Sequence, residues 1–468
     1  MNRIRLTTLL VLSLTVCFAA AQETPDSVFR TQRLSERVLL LTEISPMENI
    51  IVALAGRDGL AVVDTTGSPH TAKLLRQIIA REFGRDDFAW VINTHYHWDH
   101  AFGNQAFPEA VLVGHENCRP EWARQAEQAS RMAENARRRL ERAEAEESVA
   151  REPTGQSPPP PPPPRGQREF DQRIYDGLSS GLTPHGQSVT FRDRMVLDLG
   201  DLTVKLTWFG RAHSTADIFI QVPEEKLLLT GDLFLERGWL PLFSGQSVLD
   251  VPRWLEVLDD ALDGVDPVEH VIPGHRDIWT PEKLARWRDY IRRLWRAVSA
   301  AHENKTPLDT LFTTVPLGAE FDYLLDIHHT REELDQFHRR NLESFYRQFQ
   351  QSAAVLFEEI LNREGLAAAR EKFAVWQKKP TEYYVNERQF NALGYRLLGR
   401  GQTDDAVAVF TLNTALFPGS WNAWDSLAEA YMTAGHRAKA IEYYRKSLEL
   451  NPQNGNATQR LRELEAPE

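Results

Sequence analysis

Cysteine is almost missing from this chain: 468 residues contain two, Cys17 and Cys118. Cys17 sits in an N-terminal stretch that reads as removable, so no internal disulfide is expected, and packing together with any metal must hold the fold. A basic surplus is also missing. The 54 Lys+Arg face 66 Asp+Glu for a formal net charge of -12, the reverse of what a nucleic-acid binder carries. No apolar run reaches the ~20 residues that a membrane span needs. With 42% hydrophobic and 26% charged residues, the balance is that of a soluble globular protein. It excludes wholesale disorder, a multi-span membrane protein and a small disulfide scaffold. The length exceeds one ordinary core and suits two or three domains.

The N-terminus has the pattern of a secretory signal peptide over residues 1–21. Asn2-Arg3-Ile4-Arg5 is a positive n-region, Leu6 to Ala20 an apolar run, and Ala19-Ala20-Ala21 a small-residue cleavage site before Gln22. Its removal takes Arg3, Arg5 and Cys17 away, leaves Cys118 alone and shifts the formal charge to about -14. The expected location is therefore exported, periplasmic or secreted, with no stable membrane span after cleavage.

From residue 30 to residue 300, short apolar strands alternate with amphipathic helices, the pattern of a layered α/β domain. Strand candidates are Val38–Leu41, Ile50–Leu54, Leu60–Val63, Phe88–Ile92, Val196–Leu199, Leu202–Trp208, Ile218–Val222, Lys226–Thr230 and Glu269–Ile272. An insertion at 119–187 interrupts them. Trp122, Ala126, Ala129, Ala133, Ala136, Leu140 and Ala143 follow a 4–3 spacing that puts a thin stripe on a charged, largely solvated helix leaning on the domain. Seven prolines, Pro158 to Pro164, predict a stiff polyproline rod, and residues 148–168 are expected to be poorly ordered. Phe170 to Gln187 reads as a stretch unable to bury much apolar surface.

Residues 301–380 read as a helical connector and 384–464 as tetratricopeptide-like repeats. A shift of 34 residues brings Phe390 onto Trp424, Leu393 onto Leu427, Gly401 onto Gly435, Ala406 onto Ala440, Phe410 onto Tyr444 and Pro418 onto Pro452. Two repeats are fewer than the ~3 that usually stand alone, so they are expected to pack on Val355–Lys379 or on the first domain.

The chemistry concentrates at strand ends. Asn93-Thr94-His95-Tyr96-His97-Trp98-Asp99-His100 follows the strand that ends at Ile92. Gly210-Arg211-Ala212-His213 follows another, Thr230-Gly231-Asp232 ends a third, and Pro273-Gly274-His275 ends a fourth. Imidazole and carboxylate together suit zinc or another divalent first-row metal. Loops at strand ends are where layered α/β folds carry their sites. The order HxHxDH, His, Asp, His closely resembles the metallo-β-lactamase superfamily.

That resemblance implies a four-layer αββα sandwich followed by the all-α repeats. It implies one metal held by His95, His97 and His213, a second held by Asp99, His100 and His275, and Asp232 bridging them. Two zinc ions are the expected cofactors, with iron or manganese as alternatives. Asp99 is the expected catalytic residue, orienting a metal-activated hydroxide and passing its proton on. Asp64 matches a supporting position behind the ligands. The implied function is hydrolysis of a small ester, lactone, thioester or amide. Alternatives are a β-lactamase, an iron dioxygenase on the same fold, and a repeat-based adaptor with a non-catalytic domain. A carboxylate at Asp232 weighs against the β-lactamase. Expected partners are a small-molecule substrate and a protein bound by the repeats, with no nucleic acid. The apolar loop Arg237–Phe243, with Trp98 and Phe102, points to a partly apolar pocket. Cys118 reads as a packed thiol and His328-His329 as a solvated helical pair.

Overall fold

The computed structural model describes residues 24–150, 166–182, 186–234, 249–319 and 330–465. The leader at 1–21, the proline run Pro158–Pro164, the loop Arg237–Phe243, His185 and His328-His329 lie outside the described residues. The described residues form two compact units, with those within 24–210, 214–234 and 260–281 in the first and those within 211–213, 249–259 and 282–465 in the second.

The first unit begins with the short helix α1 (Pro25–Val28) and a seven-stranded sheet in sequential order. Its strands are β1 (Phe29–Arg33), β2 (Val38–Glu43), β3 (Ile50–Gly56), β4 (Gly59–Val63), β5 (Phe88–Ile92), β6 (Val111–His115) and β7 (Val189–Phe191). The first four pair antiparallel through short connections, the longest of them the 44–49 loop; β4 to β7 run parallel because helices or long segments connect them. A second sheet of five strands has the order β12-β11-β10-β9-β8, built from β8 (Arg194–Asp198), β9 (Thr203–Trp208), β10 (Ile218–Val222), β11 (Leu227–Gly231) and β12 (His270–Pro273).

Alternation along the strands sends one set of side chains between the sheets. Val38, Leu40, Val52, Leu54 and Val63 meet Val204, Leu206, Ile218, Ile220 and Leu229 in one dry core. The other set, including Leu39, Leu41, Ile51 and Val62, packs on Leu75, Ile78 and Ile79 of α2 (Pro69–Phe83). Ser68 caps that helix by accepting a hydrogen bond from Thr71 N, and Gly84, at φ 65°, ends it.

After β5 the chain makes one helical turn, α3 (Trp98–Ala101), and after β6 the insertion begins with α4 (Cys118–Ala150). As expected, α4 is largely exposed and its stripe leans on the domain, Trp122 meeting Phe102 with ring centroids 5.2 Å apart; the structure corrects only the reading of Phe170–Gln187. Trp122, Ala129, Ala133 and Ala136 are buried against Phe170, Ile174 and Leu178 of α5 (Gln167–Leu178). The stretch read as too poor in apolar surface thus supplies the partner for the alanine stripe. Asp171, buried on α5, accepts hydrogen bonds from Arg139 of α4 at 3.0 Å. Gly177 lets α5 also approach the start of α2, because a Cβ there would lie 2.5 Å from Ser68 Oγ.

The second unit is helical. It contains α6 (Val251–Asp263, its last residues in the first unit), α7 (Pro281–Glu303), α8 (Leu308–Thr314) and α9 (Arg331–Tyr346). Trp254 of α6 and Phe345 of α9 meet edge to face with ring centroids 6.0 Å apart. Buried His338 bridges Val315 O and the Tyr290 hydroxyl. Helix pairs follow: α10 (Ala353–Glu364) with α11 (Leu366–Trp376), α12 (Glu387–Gly399) with α13 (Thr403–Leu416), and α14 (Trp421–Thr433) with α15 (Arg437–Leu450), closed by α16 (Gly455–Glu465). Leu393, Ala406, Leu427 and Ala440 are all buried, and Phe357, Phe373 and Phe390 interlock at 5.3–6.0 Å. The first full repeat therefore packs on the pair before it, a third layer that lengthens the stack.

Candidate metal centre

Strand β5 ends at Ile92, and Asn93 then leaves the sheet. Its amide donates to His100 O at 3.2 Å and to Asn104 Oδ1 at 3.1 Å, while its own Oδ1 accepts from Asn104 and Gln187. These bonds fold residues 94–100 into a tight turn with several side chains facing inward. His95, Asp99, His100, Asp232 and His275 are all less than a tenth exposed. His97 and His213 are half-buried, so solvent reaches the cluster from their side.

The side chains form two donor groups. His95, His97, His213 and Asp232 each offer one ligand atom within 4.8 Å of the others, and so do Asp99, His100, Asp232 and His275. Asp232, at the mouth of β11, belongs to both. His213 comes from a loop whose Arg211 carbonyl accepts from Trp254 Nε1 and Asp250 N, both at 3.1 Å. All seven residues expected from the sequence are thus brought together in these two groups.

Hydrogen bonds on the far sides of the rings say what the near sides want. His275 Nδ1 donates to Met47 O at 2.8 Å, which leaves the Nε2 lone pair of a neutral ring 3.2 Å from Asp232 Oδ2 and 3.4 Å from Asp99 Oδ2. His100 Nδ1 donates to Asp64 Oδ2 at 2.9 Å, and its Nε2 then faces Asp232 Oδ1 at 3.2 Å and Asp99 Oδ2 at 3.4 Å. That buried Nε2 has no hydrogen-bond partner. His95 Nδ1 donates to Thr94 Oγ1 at 3.1 Å, because that hydroxyl spends its own proton on Asp64 Oδ2 at 2.8 Å. Its Nε2 lies 3.0 Å from His97 Nδ1 and 3.8 Å from Asp232 Oδ2. Lone pairs converging on carboxylates repel unless a cation or protons stand between them. The donor set therefore fits a metal ion.

Without a metal, protons take that place. Burial works against a charge on His100, yet Asp232, Asp99 and Asp64 hold its pKa well above the usual histidine value. Burial likewise opposes charge on His275, but Asp232 and Asp99 push it up to about 10. Burial penalises the carboxylates too, and His100 and His275 nonetheless keep Asp99 and Asp232 well below the usual range.

Three supports were less legible. Asp64, matched from the sequence to a supporting position, joins Thr94 N, Thr94 Oγ1 and His100 Nδ1. It does so at φ 62°, with Thr66 at φ 77° close behind, a strained turn of the kind functional sites hold. Asn49 donates to Asp99 O at 3.0 Å and to Asp99 Oδ2 at 3.3 Å. Met47 acts through its carbonyl, which no side-chain motif announces. Gly274 is required by space: a Cβ there would lie 2.1 Å from Asp232 Oδ1. Cys118 is a free buried thiol, its pKa raised by burial, and takes no part in the cluster.

Residues 47–275 match the sequence profile of the metallo-β-lactamase superfamily, and residues 421–454 match that of the tetratricopeptide repeat. The chain thus carries a metallo-β-lactamase superfamily domain followed by helical repeats, and the α/β class with all-α repeats expected from the sequence holds. In particular, the chain is 23% identical over 109 residues to a metallo-β-lactamase type 2 of Bacteroides fragilis, covering 23% of this chain and 43% of that protein. The match therefore spans less than half of that curated relative's length. Among solved structures, a metallo-β-lactamase from Pontibacter korlensis aligns with 56% of this chain and 99% of its own at 14% identity and a TM-score of 0.38. A stereoselective inverting sec-alkylsulfatase from a Pseudomonas species aligns with 94% of this chain and 66% of its own, at 14% identity and a TM-score of 0.45. Among the described residues, no helix is long and apolar enough to cross a membrane.

Proposed function

We propose that this chain is an exported, dinuclear zinc hydrolase that cleaves a small ester, lactone, thioester or amide. The observation that carries the reading is the pair of buried donor groups sharing Asp232. The first group would hold one ion through His95, His97 and His213. The second would hold another through Asp99, His100 and His275, with Asp232 between them. When bound, such ions supply Lewis acidity and lower the pKa of water. The protein's own contribution is placement. Asp64, Thr94 and Met47 O fix which nitrogen of the His95, His100 and His275 rings faces inward. Asn49 anchors Asp99, whose Oδ2 is then placed to hold a proton and pass it towards a leaving group.

Burial of five of the seven side chains strengthens the charge interactions inside, while solvent enters past His97 and His213. The n-region and apolar run at residues 2–20 support export, and the helical stack supports a protein partner for the repeats. Metal analysis of protein purified without chelator, joined to a hydrolysis screen over esters, lactones, thioesters, amides and β-lactams, tests the reading. Two zinc ions per chain and turnover of one class is the expected result. A single iron with oxygen-dependent turnover would replace hydrolysis by dioxygenation, and no turnover with full occupancy would favour the adaptor.

A further inference from the structure

We propose that Arg173, on insertion helix α5, is a positioning residue for the second donor group, aligning Asp99 and His275 through the 44–49 loop. The inference rests on the reading of the cluster as a metal centre and goes beyond it, because among the described residues the insertion adds no member to either donor group. Arg173 and Glu43 are a buried ion pair, each side chain 3% exposed, with Arg173 Nη2 3.4 Å from Glu43 Oε1. The same nitrogen donates to Ile44 O at 3.1 Å, and Arg173 O accepts from Ser68 Oγ at 3.1 Å. The guanidinium therefore grips the point where β2 turns into the 44–49 loop.

That loop does two things at the cluster. Its Met47 carbonyl sets the ring of His275, and its Asn49 amide holds Asp99. It is also zipped to the chain around His275, with Ile50 N donating to Gly274 O at 2.7 Å and Arg276 N to Glu48 O at 2.9 Å. Glu43 N donates to Asn49 O at 2.9 Å and closes the loop on itself. Shifting residues 43 and 44 therefore moves Met47 O and Asn49 together. Both of their targets, Asp99 and His275, belong to the second donor group. A buried charge pair with its own hydrogen bond to the backbone is costly to break from one side, so the grip is stiff.

The test is a cobalt(II) titration of metal-free full-length protein, followed by visible absorbance and calorimetry, for wild type, Arg173→Met and Arg173→Lys. Circular dichroism checks the fold of each. The first equivalent is expected to bind all three proteins alike. The second is expected to weaken 10–100-fold in Arg173→Met, the usual cost of losing an outer support, with partial recovery in Arg173→Lys. Second-equivalent affinity equal to wild type in Arg173→Met overturns the proposal, as does equal weakening of both equivalents in a folded variant. If Arg173→Met does not fold, Arg173→Gln carries the same comparison and is judged by the same outcomes. Failure of wild type to bind cobalt at all would instead overturn the metal-centre reading, a different and separately visible result.

Discussion

The carboxylate of Asp64 touches no inward-facing atom of the cluster, yet it fixes two rings, one directly and one through Thr94. Asp64→Asn keeps the size but exchanges one accepting oxygen for a donor. It is expected to lower metal affinity 10–100-fold in a chelator competition, with little change in circular dichroism. Gly274→Ala acts by volume. The added methyl displaces Asp232, and loss of both metal equivalents in the same competition is the expected outcome.

Protons compete with metal for the same lone pairs, and the sign follows from the shifts. In metal-free protein the pKa of His275 is raised from 6.5 to about 10, so its proton stabilises the fold fully below pH 6.5, and that contribution is lost as pH rises through about 10. Thermal midpoints of the metal-free protein should fall across that window, while metal affinity measured over the same range should rise. Opposite slopes check both halves of the statement. An unchanged midpoint between pH 7 and 9 would contradict the charged His275.

At the scale of elements, what the sequence announced and what it withheld have physical causes. Strands such as Ile50–Gly56 and Gly59–Val63 were visible because both faces are buried, which leaves unbroken apolar runs between turn residues. The ligands were visible because four of the seven fall within six residues. Met47 was not, because a carbonyl's role depends on a ring 228 positions away. The partner that α5 gives the α4 stripe was hidden for a related reason. Alanine buries too little area to show a partner, and the glycine at 177 looks like a breaker until Ser68 is seen against it. Phe170 and Trp122 now carry a prediction. Truncating either to alanine removes a large side chain from the cluster that also holds Phe102 and Trp98, at an expected cost of about 3–5 kcal/mol to local stability. Faster proteolysis between residues 118 and 182, with the helical repeats uncut, is the measurement.

For the whole molecule, two units with separate cores mean that stability is not one number. Ion binding stabilises the state that binds by about 2.7 kcal/mol when free metal stands at 100 times its Kd. Hydrogen exchange followed by mass spectrometry, with and without chelator, should show protection lost around residues 93–115 and 227–231. The helices holding Phe390, Phe410 and Tyr444 should be unaffected. One residue gives this loading a further property. Because Asp232 serves both donor groups, occupancy of one changes what the other feels, and the two binding events are a single linked equilibrium. Linkage is reciprocal: whatever factor the first ion imposes on the second, the second imposes on the first. An ion-poor compartment would therefore set how many ions each molecule carries and, by the same coupling, how readily it lets go of either.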